Sequence, residues 1–387
     1  MRSLPLGLAE KPPARPGAGV YERADGPLVG YLNRALPKGS SPGWPISRPG
    51  LARTHFSSIN AVSMTLRAKA IAHPNIALIK YWGNQDDGLR LASNSSLSMN
   101  LAGLETRTSV QFVEGAEGDE LTLDEVRREG ETLQRVSAVL DLVRERAGLR
   151  QRAIVQSVSN FPQGVGIASS ASGFAALALA ACAAAGLNPS ESELSRLARR
   201  GSGSACRSVP GGFVVWEAAS QDEASTAHSI APPEHWALID LIAVVSREHK
   251  TVGSTTGHRL APTSPLQAAR VADAPRRLAE CKAALLARDF ESLAAVVEQD
   301  SDLLHAVMMT SMPSLHYWRP ATVEVMRAVR GWRAAGLSVC YTVDAGPNVH
   351  ILCAPGAASE AHSELRKLAG VLEVLEALPG GPARLIG

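Results

Sequence analysis

Phe161-Pro162-Gln163-Gly164-Val165-Gly166-Ile167-Ala168-Ser169-Ser170-Ala171-Ser172-Gly173 runs straight into Phe174-Ala175-Ala176-Leu177-Ala178-Leu179-Ala180. The glycines at 164, 166 and 173 let the backbone turn tightly and approach a ligand closely. The three serines add hydroxyls beside backbone N–H groups. Ala171 to Ala185 is helix-forming composition, and Gly186 is well placed to end it. The loop is therefore expected at a helix N-terminus, where unpaired N–H groups and the dipole favour anions. Such a loop suits phosphate, although Gly/Ser loops also precede buried helices without binding anything. No Lys-Ser/Thr pair follows the last glycine, so it is not a Walker loop.

Outward from this junction the chain alternates strands and helices. Strand patterns fall at Leu66–Ala72, Arg107–Val113, Arg152–Val158, Leu238–Val245, Ser338–Val343 and Val349–Cys353. Helix patterns fall at Ser190–Arg200, with a Ser190/Glu193 capping box and Gly201 as the stop, and near Leu266–Arg288, Phe290–Met309 and Ala321–Ala335. The mixture predicts an α+β protein of two domains. The boundary is placed at Ser246, dividing a 64–246 N-terminal domain from a 247–387 C-terminal domain. Residues 1–63, rich in Pro, Gly, Arg and Ser, are expected to be a disordered leader, with patterned sequence beginning at Met64.

The chain has 387 residues, ample for two domains with a large core. Its 39 basic and 37 acidic residues give a formal charge of +2, which offers no bulk attraction to nucleic acid or to a membrane surface. No apolar run is long enough to span a bilayer. Five cysteines, at 182, 206, 281, 340 and 353, form no C-x-x-C pair, which fits reduced thiols and a cytoplasmic location.

Three further clusters carry chemistry. Arg199-Arg200-Gly201-Ser202-Gly203-Ser204-Ala205-Cys206-Arg207-Ser208 reads as a second anion cradle or as a solvated helix end; Arg207, beyond the glycines, is the harder to dismiss. Lys80 lies between Ile76-Ala77-Leu78-Ile79 and Tyr81-Trp82, so it either snorkels to the surface or has a partner. Asp344 closes a strand and opens Ala345-Gly346-Pro347-Asn348, as a turn cap or as a carboxylate presented at a strand end.

In order along the chain, Asn75–Gly83, Asn94-Ser95-Ser96-Leu97-Ser98, the serine loop, Arg199–Ser208, Gly253-Ser254-Thr255 and Asp344–Asn348 resemble the mevalonate diphosphate decarboxylases of the GHMP kinase superfamily, over residues 66 to 355. The resemblance implies a ribosomal-protein-S5-like N-terminal domain and a ferredoxin-like C-terminal domain. It implies ATP and Mg2+ as cofactors and a phosphorylated mevalonate as substrate, in a homodimer. It also implies residue roles. Asp344 would orient the substrate hydroxyl and take its proton, with Lys80 beside it. Arg207 and Asn75 would grip the substrate carboxylate. Gly164, Gly166, Ser169, Ser170, Ser172, Ser95 and Ser96 would serve ATP, with Ser170 on magnesium. Tyr81, Asn84, Ser202 and Ser204 would meet the 5-phosphate end.

One residue departs from the pattern. The family motif continues Tyr-Trp-Gly-Lys, and this chain has Asn84, an amide that cannot neutralise a terminal phosphate. That leaves mevalonate 5-phosphate as an alternative substrate, with Arg90 or Lys250 as candidate replacement cations. A GHMP-type kinase that stops after phosphorylation, and a non-catalytic binding protein, are the other classes to weigh.

Overall fold

The computed structural model describes residues 66–162, 167, 169–248, 250 and 252–387, all of them within one compact unit, Ala61–Gly387. The expected leader and the loop glycines Gly164 and Gly166 lie outside the described residues.

The chain begins with β1 (Arg67–Ala72), β2 (Asn75–Ile79), the short hairpin of β3 (Asn84–Asp86) and β4 (Leu91–Ala92), then β5 (Ser96–Ala102) and β6 (Thr106–Val113). Next come β7 (Glu120–Leu123), β8 (Val126–Arg128), α1 (Gly130–Ala147), β9 (Arg152–Ser159), α2 (Ser169–Ala184) and α3 (Glu191–Gly201). A 3-10 turn at Gly203–Ser208 leads to β10 (Phe213–Trp216), β11 (Ala227–Ala231) and β12 (Ile239–Val244). The remainder is α4 (Ser254–Leu260), α5 (Gln267–Ala287), α6 (Phe290–Thr310), α7 (Pro320–Ala334), β13 (Val339–Thr342), β14 (Val349–Cys353), α8 (Ala358–Leu365), β15 (Glu373–Pro379) and β16 (Arg384–Ile386).

Two large sheets hold all of these strands except β3 and β4, which pair with each other. One runs β16-β1-β6-β9-β7-β8, antiparallel except for the β7–β9 pair. The other runs β11-β10-β5-β15-β12-β14-β13, with β2 also paired to β5. The link between β5 and β15, with Leu378 opposite Ala102 and Pro379 opposite Leu101, joins strands from the two ends of the sequence.

Three cores follow. The first sheet packs on α1, α2 and α3 through Val110, Phe112, Val139, Leu140 and the alanines of α2. That helix is buried almost all round, which its uniform Ala/Leu composition permits: small side chains let it lie close to a sheet and a helix at once. Enlarging one of its sealed alanines would overpack the contact, at about 1–3 kcal/mol. A second core sets Leu97, Met99 and Ile242 against Leu285, Leu293 and Val297 of α5 and α6. A third sets Tyr341, Val349 and Ile351 against α7 and α8.

The Ser190/Glu193 capping box forms as the sequence predicts, with the Ser190 side chain accepting from Glu193 N. Gly201 has a different role from the one predicted. It is the last residue of α3 with ordinary helical backbone, and a Cβ there would lie 2.0 Å from Phe174 Cδ1, so its smallness lets α3 and α2 touch. Helix α1 was not predicted, though Val136, Val139, Leu140 and Val143 give it a regular buried stripe.

Candidate active site

Lys80 follows β2 directly, and its main chain is held from both sides. Its N–H donates to Asp300 Oδ2 (2.6 Å), and its carbonyl accepts from Asn94 Nδ2 (3.0 Å) and Arg270 Nη2 (2.7 Å). Asp300 is itself paired with Arg277 at 2.8 Å, both fully buried. With the main chain held in this way, the buried Nζ meets Asp344 Oδ1 at 2.6 Å.

Asp344 comes just after β13 and is fixed by its neighbours. Val343 N–H donates to Ser301 Oγ (2.9 Å), Gly346 N–H donates to the Asp344 carbonyl (2.7 Å), and Thr322 Oγ1 donates to the Pro347 carbonyl (2.6 Å). Asn348 Oδ1 accepts from Val245 N and Ser246 N, tying the turn to the end of β12. Burial alone would raise the Asp344 pKa, but the positive charges of Lys80 and Arg207, with His350 nearby, outweigh it and hold the carboxyl below the usual range.

Arg207, on the 3-10 turn, is nearly sealed. Its Nη1 donates to Ser96 Oγ (2.8 Å), its Nε to Asn75 Oδ1 (3.2 Å), and its guanidinium lies 5.8 Å from the Trp216 ring centroid. Asn75 Nδ2 donates in turn to Ser208 Oγ (2.8 Å) and to the Ser204 carbonyl (3.2 Å).

One cavity of about 530 Å³ gathers Lys80, Tyr81, Arg90, Arg135, Ser169, Ser170, Ser202, Ser204, Arg207, Lys250, His258 and Asp344 in its wall. Ser170 Oγ lies 3.1 Å from Ser202 Oγ, so the start of α2 meets the second serine cluster.

Other sequence candidates are placed elsewhere. Asn75 is buried beside Arg207 with both ends of its amide engaged by protein, its Oδ1 accepting from Arg207 Nε and its Nδ2 donating to Ser208 Oγ. Ser96 is spent on Arg207, and Ser95 bonds Glu217 and the N–H of Ala218. Ser172 is sealed at the base of α2 against Thr106 Oγ1 (2.7 Å). In the structure these three hydroxyls bond protein groups, and the cavity wall is formed by other residues. Asn84 is likewise held aside: it accepts from Tyr81 Oη, and its Nδ2 donates to Asp87 Oδ1 (2.7 Å).

Two basic residues of the wall, Arg135 and His258, are not marked by the sequence. Arg135 projects from α1 and donates to the Gly201 carbonyl at 2.9 Å. His258 stacks on Tyr81 with centroids 4.1 Å apart, and its Nδ1 accepts from Gly83 N–H at 3.0 Å. Burial, reinforced by surrounding cations led by Arg90, pushes its pKa down to about 3, so the ring is neutral. Neither residue lies in a motif, and only the fold brings α1 and α4 to this cavity.

Comparison with known proteins gives a consistent answer. Residues 72–227 match the diphosphomevalonate decarboxylase-like N-terminal domain, and residues 240–378 match the mevalonate 5-diphosphate decarboxylase C-terminal domain. The diphosphomevalonate decarboxylase of Candida albicans is 38% identical over 301 residues, covering 73% of this chain and 83% of that protein. The solved mevalonate diphosphate decarboxylase of Enterococcus faecalis superposes with TM-score 0.77 at 35% identity, covering 83% of this chain and 98% of that one. A structure described as MDDEF in complex with MVAPP, AMPPCP and magnesium gives TM-score 0.78 at 36% identity, with the same coverage.

Proposed function

The chain belongs to the diphosphomevalonate decarboxylase family, and from that premise we propose that it converts mevalonate 5-diphosphate and ATP to isopentenyl diphosphate, ADP, phosphate and carbon dioxide. The observation that carries this reading is the Lys80–Asp344 pair at 2.6 Å in one cavity with Arg207.

The chemistry follows from the residues. The substrate's tertiary 3-hydroxyl is a crowded nucleophile, and Asp344, ionised at neutral pH, orients it and accepts its proton as the oxygen attacks the γ-phosphorus. Lys80 keeps that carboxylate charged and offsets phosphate charge. When the C3–O bond to phosphate breaks, C3 becomes electron-deficient. The C1–C2 bond then breaks, its electrons form the C2–C3 double bond, and C1 departs as carbon dioxide. Arg207, aimed by Asn75 and Ser96, holds the carboxylate so that the breaking bond is aligned with the empty orbital.

Among the described residues no group of three His, Cys, Asp or Glu could hold a metal ion. Magnesium accompanies the nucleotide analogue in the similar structure with MVAPP and AMPPCP, and here it would be held by the nucleotide phosphates with the Ser170 hydroxyl, in the cavity wall, as the protein's oxygen donor. When bound, it neutralises phosphate charge. Among the described residues no helix is long and apolar enough to cross a membrane. The five free, buried cysteines support a reducing compartment, and the cytoplasm is where we place the reaction. The family resemblance supports a homodimer, which light scattering would test.

The similarities favour the diphosphate over mevalonate 5-phosphate, and decarboxylation over a plain kinase, since the relatives bear the diphosphate decarboxylase name. The deciding experiment supplies mevalonate 5-diphosphate, ATP and magnesium and measures ADP and carbon dioxide together. Equal release of both supports the reading; ADP without carbon dioxide identifies a kinase, and neither product rejects it.

A further inference from the structure

Away from Asp344 the cavity wall is cationic and carries groups that the steps above do not use. Arg90 is the last residue of the turn between β3 and β4, held at φ 53 in the left-handed region, where a bulky non-glycine residue is uncommon. The same turn is pinned by Arg199 Nε on the Leu89 carbonyl at 3.1 Å. Arg90 Nε donates to the Arg200 carbonyl (3.1 Å), and Arg135 Nη2 donates to the Gly201 carbonyl (2.9 Å). Two guanidiniums from distant parts of the chain therefore meet on consecutive carbonyls at the end of α3.

Capping a helix C-terminus is favourable for a cation, but it occupies one donor of the five on each guanidinium. The buried Arg135 Nε has no partner among the described residues. Acids offset only part of the charge, Asp87 acting on Arg90 and Glu131 on Arg135. Asp87 is already engaged by Asn84 and lies 3.7 Å from Arg259, and Glu131, at the cavity mouth, is exposed. Burial and then repulsion from Arg90 lower the Arg135 pKa, so holding the two cations together is unfavourable until an anion joins them. His258 adds a neutral donor: with Nδ1 accepting from Gly83, its proton sits on Nε2, which has no partner among the described residues.

We propose that Arg90 and Arg135 form a paired-guanidinium clamp for the terminal phosphate of the substrate's diphosphate, serving in place of a cation at position 84. The proposal rests on the substrate reading given above. The carbonyls that seat the clamp, at residues 200 and 201, open the same short segment that ends at Arg207. That segment thus presents cations at two places, which suits a single ligand with a carboxylate at one end and a diphosphate at the other. A nucleotide carries its phosphates at one end only.

The test compares the wild-type protein with Arg90→Gln, Arg135→Gln and the corresponding lysine variants. It measures kcat/KM for mevalonate 5-diphosphate and for mevalonate 5-phosphate, KM for ATP, and calorimetric Kd for both mevalonate phosphates without nucleotide. Losing one charge-assisted contact should lower kcat/KM and raise Kd for the diphosphate about 10- to 100-fold, with lysine restoring part of the loss. The monophosphate should change by less than about threefold, so the preference collapses. A purely structural role would depress both substrates equally, and a nucleotide role would appear in KM for ATP; either overturns the clamp. If the wild-type protein turns over neither compound the functional reading fails, and the calorimetric preference still decides the clamp independently.

Discussion

Lys80 Nζ stands 2.6 Å from Asp344 Oδ1, with the lysine side chain 2% exposed and the carboxylate 24% exposed. The sealed member of the pair sets the charge state of the one that faces the cavity. Replacing Asp344 by Asn keeps the shape and removes the proton acceptor. Asp344→Asn is expected to lower kcat by about 10²–10⁴-fold while leaving ATP affinity close to wild type. Single-turnover kinetics with a separate nucleotide-binding titration checks this, and a parallel loss of ATP affinity would move Asp344 into the nucleotide site.

The same pair predicts a pH effect. With Lys80 present, the Asp344 pKa is depressed, so the carboxylate stays charged down through the ordinary carboxylate range and activity has no acid limb from it near neutrality. Lys80→Met removes the main opposing charge and leaves burial, which raises the pKa. The acid limb of kcat/KM should therefore move to higher pH in the variant. A pH–rate profile unchanged in shape would show that Lys80 does not control Asp344.

Arg207 depends on Asn75 for its aim, through Nε to Oδ1 at 3.2 Å. Asn75→Ala should lower kcat/KM roughly tenfold, about the value of one hydrogen bond, with ATP affinity unchanged. Arg207→Lys should not restore function despite its charge, because a point cation cannot keep bonds to Asn75 and Ser96 while presenting a planar fork. Steady-state kinetics of both variants decides between positioning and bulk charge.

How far the sequence could be read depended on whether a residue's partner was local. The Ser190/Glu193 box lies within one turn, and the strands β1, β9 and β12–β14 have strong patterns, so both were legible. The stripe of α1, Val136, Val139, Leu140 and Val143, is equally regular. The protein partners of Ser95, Ser96 and Ser172 were not legible: nothing local to Ser172 points to a threonine 66 residues away. Arg135 and His258 join the cavity only through helices that no motif marks, so their part was invisible before the fold.

Ser172 and Ser170 should separate in the laboratory. Ser172→Ala leaves Thr106 Oγ1 with a lost buried partner and should destabilise the protein by about 1–2 kcal/mol without changing KM for ATP. Ser170→Ala, in the cavity wall, should leave stability unchanged and raise the magnesium or ATP requirement. Thermal melts and magnesium titrations read the two effects independently; a changed KM for ATP in Ser172→Ala would return that residue to the nucleotide.

Two neutral buried histidines predict how stability varies with acid. His258, between Tyr81 and Trp82, and His305, against Trp318, both have pKa values lowered to about 3, chiefly by burial. In the unfolded chain a histidine takes up its proton near 6.5, so between about pH 6.5 and 3 the unfolded state binds more protons and stability falls as pH falls. Each histidine should withdraw about 2 kcal/mol between pH 7 and pH 5. The Asp344 carboxylate acts in the same direction but in a lower window. Its depressed pKa gives stability that is present above the unfolded carboxylate value near 3.9 and lost only below it, so the two contributions do not overlap near pH 6. Denaturant unfolding at pH 7, 6 and 5 should show the slope, and His305→Gln should flatten it by about half. A stability curve flat over that range would mean that the histidines are solvated or protonated in the folded protein.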